Sequence, residues 1–382
     1  MTRELYIGLM SGTSLDGIDT VLVAFTEQKT QLLDSHFLAY PAALRAQILA
    51  LQQPTENELE KTALIGNALA NLYALAVDQL LAKAQISADQ IIAIGCHGQT
   101  IRHQPGFKDG IGFSLQIGNA ALLTELSGIS VVSDFRSRDI AAGGQGAPLV
   151  PAFHQAVFTH PQLSRAIINI GGIANITYLG PSAGSTEAAS AHTKNCVDGF
   201  DTGPGNMLLD AWIKQHLNLD YDANGDWAST GVSLPALLTS LLDEPYFALA
   251  PPKSTGRDLF NANWLEQKLA KNAAAQPQDV AHTLVDLTVQ TIYSALINHC
   301  GELDEVYLCG GGARNQLLVK KLQALLGKVR CHSTDRLGIG ADWLEAVAFA
   351  WLAKQCMDKN TANLAQVTGA QGARILGAIY QH

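Results

Sequence analysis

The chain has 382 residues, 47% of them hydrophobic and 15% charged, with a net charge of -9. That length implies two domains, and that composition supports a sizeable core and excludes a disordered chain. The acidic balance, with no run of Lys or Arg, argues against nucleic acid as a partner.

The first residues, Met1-Thr2-Arg3-Glu4-Leu5-Tyr6-Ile7, lack the apolar core of a signal peptide. No apolar run approaches the ~18 residues of a membrane span, so no membrane partner and a cytoplasmic location are expected. The cysteines (Cys96, Cys196, Cys300, Cys309, Cys331, Cys356) are scattered singly, which suggests neither a disulfide framework nor a zinc site.

Residues 5–10 read as a buried strand and 20–25 as its antiparallel neighbour. Between them lies Ser11-Gly12-Thr13-Ser14-Leu15-Asp16-Gly17-Ile18-Asp19. Glycine removes the Cβ that would keep backbone N–H groups from a phosphate, and Thr13 and Ser14 add hydroxyl donors. Asp16 or Asp19 can hold a hydrated Mg²⁺ beside that phosphate. The other reading is an ordinary hairpin.

Residues 32–40 suggest a third strand, and the apolar spacing across 57–83 predicts a helix. Ile91-Ile92-Ala93-Ile94-Gly95-Cys96 reads as a central strand ending at His97-Gly98-Gln99-Thr100, polar groups where open α/β sheets place ligands. After a strand at 129–133 come Asp134-Phe135-Arg136-Ser137-Arg138-Asp139 and a Gly-rich segment. Arg136 and Arg138 either clamp a substrate or join a surface ion-pair cluster.

Residues 166–170, Gly171-Gly172 and 173–179 repeat the first theme of strand, Gly turn, strand, about 160 residues later. Such duplication points to two similar lobes with a cleft between them. Asp198-Gly199-Phe200-Asp201-Thr202-Gly203-Pro204-Gly205-Asn206 reads as a loop entering a helix, with Pro204 in its first turn and Asp201 just outside its N-terminus. Asp201 is then either a catalytic carboxylate or a capping residue. Lys253 and Arg257 face an anion or lie in a solvated loop. A helix over 282–300 and a strand over 305–309 lead to Gly310-Gly311-Gly312-Ala313-Arg314-Asn315, where a phosphate or flat ring can approach bare backbone. Glu345 interrupts the apolar face of a helix over 341–351, and residues 364–380 are compatible with a last strand.

Two strand–Gly–strand turns and a later glycine triplet resemble the sugar kinase/heat-shock/actin ATPase superfamily. The resemblance narrows to the anhydro-N-acetylmuramic acid kinases on six motifs that span nearly the whole chain. They are Gly8-Leu9-Met10-Ser11-Gly12-Thr13-Ser14-Leu15-Asp16-Gly17, His97-Gly98-Gln99-Thr100, Gly143-Gly144-Gln145-Gly146-Ala147-Pro148, Asn169-Ile170-Gly171-Gly172-Ile173-Ala174-Asn175, the Asp201 segment and Gly310-Gly311-Gly312-Ala313-Arg314-Asn315.

The resemblance implies a two-lobed actin-like ATPase fold (ribonuclease H-like), with duplicated βββαβα lobes around a central nucleotide and substrate cleft. The lobes are expected at 1–128 plus 362–382, and at 129–361. It implies ATP and Mg²⁺ as cofactors, hydrolytic opening of 1,6-anhydro-N-acetylmuramic acid with phosphorylation of O6, and a homodimer. Asp201 matches the catalytic base. Gly12, Thr13, Ser14, Leu15, Asp16, Gly17, Ile18, Asp19, Gly171, Gly172, Gly310, Gly311, Gly312 and Asn315 are the expected ATP contacts, with Asp16 and Asp19 holding Mg²⁺ through water. Gln99, Thr100, Arg136, Arg138 and Glu345 are the expected sugar contacts. Two other readings stand: another sugar or carboxylate kinase without bond cleavage, and a chaperone- or actin-like nucleotide switch, which predicts ATP turnover without sugar.

Overall fold

The computed structural model describes residues 3–12, 14–27, 29–106, 110–182, 197–270 and 274–382. The chain divides into two compact units, Met1–Val157 with Trp343–His382, and Phe158–Asp342.

In the first unit β1 (Glu4–Ser11), β2 (Gly17–Phe25) and β3 (Thr30–Ala39) form an antiparallel meander. The helices α1 (Ala42–Ala50) and α2 (Glu58–Ala84) then return the chain so that β4 (Ile91–Gln104) lies parallel to β1. β5 (Phe113–Ile117) pairs antiparallel with the far half of β4. After α3 (Ala120–Ser127), β6 (Val131–Ser133) lies parallel to β4. The unit continues through α4 (Ser137–Ala141) and α5 (Val150–Phe158).

In the second unit β7 (Arg165–Ile170), β8 (Ile173–Leu179) and β9 (Val197–Pro204) form the same meander. The helices α6 (Met207–Leu217), α7 (Asp226–Ser229), α8 (Pro235–Leu242), α9 (Ala262–Leu269) and α10 (Pro277–His299) follow. They lead to β10 (Glu305–Cys309), parallel to β7, then α11 (Gln316–Leu326) and β11 (Arg330–Ser333), parallel to β10. The chain returns to the first unit with α12 (Leu344–Met357), α13 (Ala365–Thr368) and β12 (Ala378–Tyr380), antiparallel to β6.

The sheet orders are β3-β2-β1-β4-β6-β12 and β9-β8-β7-β10-β11. Each sheet runs third, second, first, fourth strand of its unit, followed by β6 in the first sheet and β11 in the second, with β5 paired to β4 off this path. This is the duplicated ribonuclease H-like topology of the actin-like ATPases, as the sequence leads one to expect.

Helix α12 is apolar on nearly all sides, with Ala346, Val347, Ala348, Phe349, Ala350, Leu352 and Ala353 buried. It lies directly on β1 and β4. A Cβ on Gly8 would collide with the Ala346 carbonyl, and one on Gly95 with the Phe349 carbonyl. Gly8, at the head of the first motif, is therefore required by helix–sheet packing.

Helices α2 and α10 are long and apolar enough to cross a membrane. Their buried faces supply instead Leu69, Tyr73 and Val77 to one core and Leu284, Leu287 and Ile292 to the other.

Four expectations change. β4 runs on to Gln104 because β5 supplies partners for residues 99–104, so His97 to Thr100 lie within a strand. Asp201 and Pro204 belong to β9, paired with Asn175 and Ile173, and α6 begins only at Met207. Residues 364–380 form a short helix and a three-residue strand. The units divide at 157/158 and 342/343 rather than at 128/129 and 361/362. β6 joins the first sheet through β4, and α12 buries its apolar surface on the same sheet, which draws both into the first unit.

Candidate active site

The first unit presents the turn between β1 and β2. Leu15 holds a left-handed conformation (φ 57°) with its side chain in the core, and its N–H reaches the Gly12 carbonyl at 3.3 Å. Asp16 is exposed, and its Oδ1 accepts from Ser14 Oγ at 2.7 Å and from Gly17 N at 3.0 Å. Ile18 is fully buried, so its side chain serves the core. Asp19 is half-buried opposite Met10. Thr13 lies outside the described residues, as do Cys196 and most of the small-residue stretch that begins at Pro181.

Gln99 and Thr100 lie beside this turn on β4. Gln99 is fully buried; its Nε2 donates to the Gly12 carbonyl at 3.1 Å, and its Oε1 accepts from Tyr40 Oη at 3.2 Å. Thr100 Oγ1 accepts from Gln116 Nε2 at 3.1 Å.

Arg136 and Arg138 part company. Arg136 donates to the Gly146 carbonyl at 2.7 Å and to His97 Nε2 at 2.9 Å, whereas Arg138 is exposed on α4. A guanidinium only donates, so His97 Nε2 is the acceptor. Burial, aided by the Arg136 charge, holds the His97 pKa down at about 3, and the ring is neutral. Glu345 is half-buried in the first turn of α12.

Asp139, which the sequence groups with Asp134, Arg136 and Arg138 as a surface ion-pair cluster or a substrate clamp, is fully buried. It accepts from Gly146 N (2.8 Å), Asn363 Nδ2 (2.7 Å) and Thr368 Oγ1 (2.8 Å), tying the Gly-rich segment to the end of the chain.

In the second unit three Gly-rich turns converge at the carboxyl ends of β7 and β10. The Gly171 carbonyl accepts Asn206 N at 2.8 Å, and the Gly172 carbonyl accepts Gly205 N at 2.9 Å. Asn206 Nδ2 donates to the Ile170 carbonyl at 3.0 Å. Gly310 has φ 74°, and a Cβ there would collide with Asn169 Oδ1; one on Gly312 would collide with Ile170. The result is a surface of backbone without side chains at Gly171, Gly172 and exposed Gly311, which fits a phosphate or the face of a base. Asn315 is buried and caps α11, its Oδ1 accepting Leu318 N at 3.0 Å.

Asp201 is half-buried on β9 and held from three directions. Its N–H donates to the Lys253 carbonyl at 3.2 Å, its carbonyl accepts from Tyr246 Oη at 2.8 Å, and its Oδ2 accepts Thr255 N at 3.0 Å. Burial, with the Asp201 charge adding to it, raises the Tyr246 hydroxyl pKa, so the phenol stays a donor. Lys253 Nζ sits 4.9 Å over the Tyr246 ring and 5.9 Å over Phe200. Burial lowers the Lys253 pKa, and the Asp201 charge opposes that shift. The sequence offers Lys253 as facing an anion or lying in a solvated loop; its carbonyl and the nearby Thr255 N–H instead hold Asp201. Arg257 is exposed on the same segment. Among the described residues no group of three or more His, Cys, Asp or Glu forms a metal site, so Asp16 and Asp19 suit only a largely hydrated cation.

A duplicated ribonuclease H-like fold with Gly-rich turns at the strand ends is the architecture of the sugar kinases and actin-like ATPases. The family model described as "Anhydro-N-acetylmuramic acid kinase" matches residues 4–382. An anhydro-N-acetylmuramic acid kinase of Nitrosomonas europaea is 53% identical over 375 residues, covering 98% of this chain and 99% of the relative. One of Nitrosospira multiformis is 51% identical over 380 residues, covering 100% of each.

Among solved structures, the activator of 2-hydroxyisocaproyl-CoA dehydratase from Clostridium difficile with bound ADPNP is similar at a TM-score of 0.46 and 13% identity, covering 93% of this chain and 97% of that one. A ROK family glucokinase from Streptomyces griseus is similar at a TM-score of 0.38 and 12% identity, covering 92% and 99%. This chain belongs to the anhydro-N-acetylmuramic acid kinase family, and it is a kinase that transfers phosphate to an alcohol acceptor.

Proposed function

We propose that the enzyme opens 1,6-anhydro-N-acetylmuramic acid with water and phosphorylates its O6, giving N-acetylmuramic acid 6-phosphate and ADP in cell-wall recycling. The observation that carries this reading is the anchoring of Asp201, a half-buried carboxylate fixed at Oδ2 by the Thr255 N–H and at its backbone by Lys253 and Tyr246.

Asp201 takes the proton of a water whose oxygen attacks C1 of the sugar. The C1–O6 bond breaks, and O6 receives the γ-phosphoryl group as the bond to ADP breaks. Phosphoryl transfer asks for positioning and charge neutralisation rather than covalent chemistry from the protein. The turn from Gly12 to Asp19 and the Gly171-Gly172 turn hold phosphates; Gly310, Gly311 and Gly312 receive the adenosine. Asn315 sets the helix that follows that triplet. Asp16 and Asp19 would hold Mg²⁺ through water, and the ion would offset phosphate charge there. Thr100, Arg136, Arg138 and Glu345 contact the sugar. A homodimer in the cytoplasm belongs to the same reading, and light scattering of the purified chain tests the oligomer.

The experiment is turnover with ATP, Mg²⁺ and the anhydro sugar in ¹⁸O water, with wild type and Asp201→Asn. Label at C1 of a 6-phosphorylated product, lost with Asp201→Asn while nucleotide binding persists, is expected. Transfer without label at C1 removes water attack from the mechanism, and wild-type turnover by Asp201→Asn removes Asp201. ADP formation without sugar favours a nucleotide switch.

A further inference from the structure

The turn between β1 and β2 is held from behind by a chain of buried polar groups. Tyr40 closes it at both ends. Its N–H donates to the Asp16 carbonyl at 3.0 Å, and its hydroxyl donates at 3.2 Å to Gln99 Oε1. Gln99 Nε2 in turn donates to the Gly12 carbonyl at 3.1 Å and, at 3.4 Å, to the Thr100 carbonyl. Beside this chain, Ser11 Oγ donates to the Gly98 carbonyl at 3.0 Å and meets Tyr73 Oη at 2.8 Å.

All four side chains are buried: Gln99 at 0% exposure, Tyr73 and Ser11 at 1%, Tyr40 at 7%. Packing alone does not call for polar groups here. A leucine in place of Gln99 would fill space without the desolvation that a buried carboxamide suffers. A fully satisfied polar network, by contrast, selects one arrangement of the backbone it grips. What it grips is the Gly12 carbonyl, while the Tyr40 main-chain N–H holds the Asp16 carbonyl. Pro41, directly after Tyr40, has φ -57°, which the proline ring fixes, and this helps to hold Tyr40 in place where the chain leaves β3.

We propose that Tyr40 and Gln99 are positioning residues for phosphoryl transfer: they bracket the first Gly-rich turn and set its backbone to receive the nucleotide phosphates. The proposal rests on the reading above, in which this turn binds ATP. It gives Gln99 a different role from the sugar contact that its motif suggests. Its carboxamide is spent within the unit, on Gly12 and Tyr40, and none of its surface is exposed.

The test uses the full-length enzyme with Tyr40→Phe, Gln99→Met and the double variant. Affinity for Mg²⁺ with a non-hydrolysable ATP analogue is measured by calorimetry, and KM for ATP and for the sugar are measured separately. Tyr40→Phe loses one buried hydrogen bond and is expected to weaken nucleotide binding about five- to tenfold; Gln99→Met loses its bonds to both Gly12 and Tyr40 and is expected to weaken it at least as much, with the KM for sugar unchanged in each. Because both residues act through one chain, the double variant is expected to lose about as much as Gln99→Met alone. Tyr40→Phe keeps the ring, so its effect is read in a packed protein.

Wild-type nucleotide affinity in both single variants overturns the proposal, as does a rise confined to the sugar KM in Gln99→Met. Wild type that binds nucleotide but leaves the anhydro sugar untouched overturns the function reading instead, and the bracket is still scored by nucleotide affinity.

Discussion

Lys253 receives the Asp201 N–H on its own carbonyl at 3.2 Å. Its ammonium lies 4.9 Å over the ring of Tyr246, and the Tyr246 hydroxyl reaches back to the Asp201 carbonyl at 2.8 Å. The three residues close a ring of contacts around the Asp201 backbone, and the Thr255 N–H holds its Oδ2. Lys253 Nζ also donates to the Tyr246 and Phe247 carbonyls at 3.4 and 3.3 Å. Removing the cation therefore loosens the segment that carries Thr255. Lys253→Met is expected to lower kcat about tenfold or more with nucleotide affinity unchanged, since a buried cation–π contact and its hydrogen bonds are together worth about 1–3 kcal/mol. Steady-state kinetics beside calorimetric nucleotide binding decide it; a loss in binding alone refutes this role.

Acid is expected to weaken the first unit. Burial holds the His97 and His154 pKa values down at about 3 and that of His103 at about 4, with the Arg136 charge adding to the effect at His97 and His103. The native pKa of each lies below the unfolded value, so below about pH 6.5 the unfolded chain binds more protons than the native one. Stability from these groups is present above that pH and falls as pH drops toward 3–4, by up to about 1.4 kcal/mol per pH unit for each histidine. Urea unfolding at pH 7.5, 6 and 5 measures the slope. His154→Gln is expected to flatten it by about one proton's share, and an unchanged slope would rule His154 out.

Gly8→Ala and Gly95→Ala each drive a methyl into a backbone carbonyl of α12, which no rotamer change relieves. The expected cost is about 3 kcal/mol or more, at the upper end for overpacked cores. Gly256→Ala, where a Cβ meets nothing, is the control and is expected to stay within about 0.5 kcal/mol of wild type. Melting temperatures of the three variants separate the outcomes.

Asn315 caps α11 through Leu318 N at 3.0 Å. Asn315→Ala is expected to lose about 1 kcal/mol of stability, and Asn315→Asp to keep it. Nucleotide affinity stays level in Asn315→Asp if the side chain only caps the helix. A loss there would make the amide a ligand contact.

Much of the fold was legible because its signals are local. Strand–Gly–strand turns recur at both β1–β2 and β7–β8, and apolar spacing marks α2 and α10. The end of β4 was not legible. Residues 97–104 are polar by composition, and only the pairing with β5 makes them strand. Asp201 looked like a loop residue because glycine and proline surround it, yet β8 supplies a ladder on which those residues are tolerated at a strand's end.

The sequence by itself determined the Gly-rich turns and most strands and helices, because backbone sterics and hydrophobic periodicity act over a few residues, and its motifs carried the resemblance to the family. The tertiary structure decided what each polar group does. Thr255 reaches Asp201 across 54 residues, and Gln99 reaches Gly12 across 87. Arg136 turns to His97 while Arg138, two positions on, is exposed. A hydrogen bond typically places its partners about 3 Å apart, and a separation along the chain carries no information about such a distance until the sheets and helices have packed.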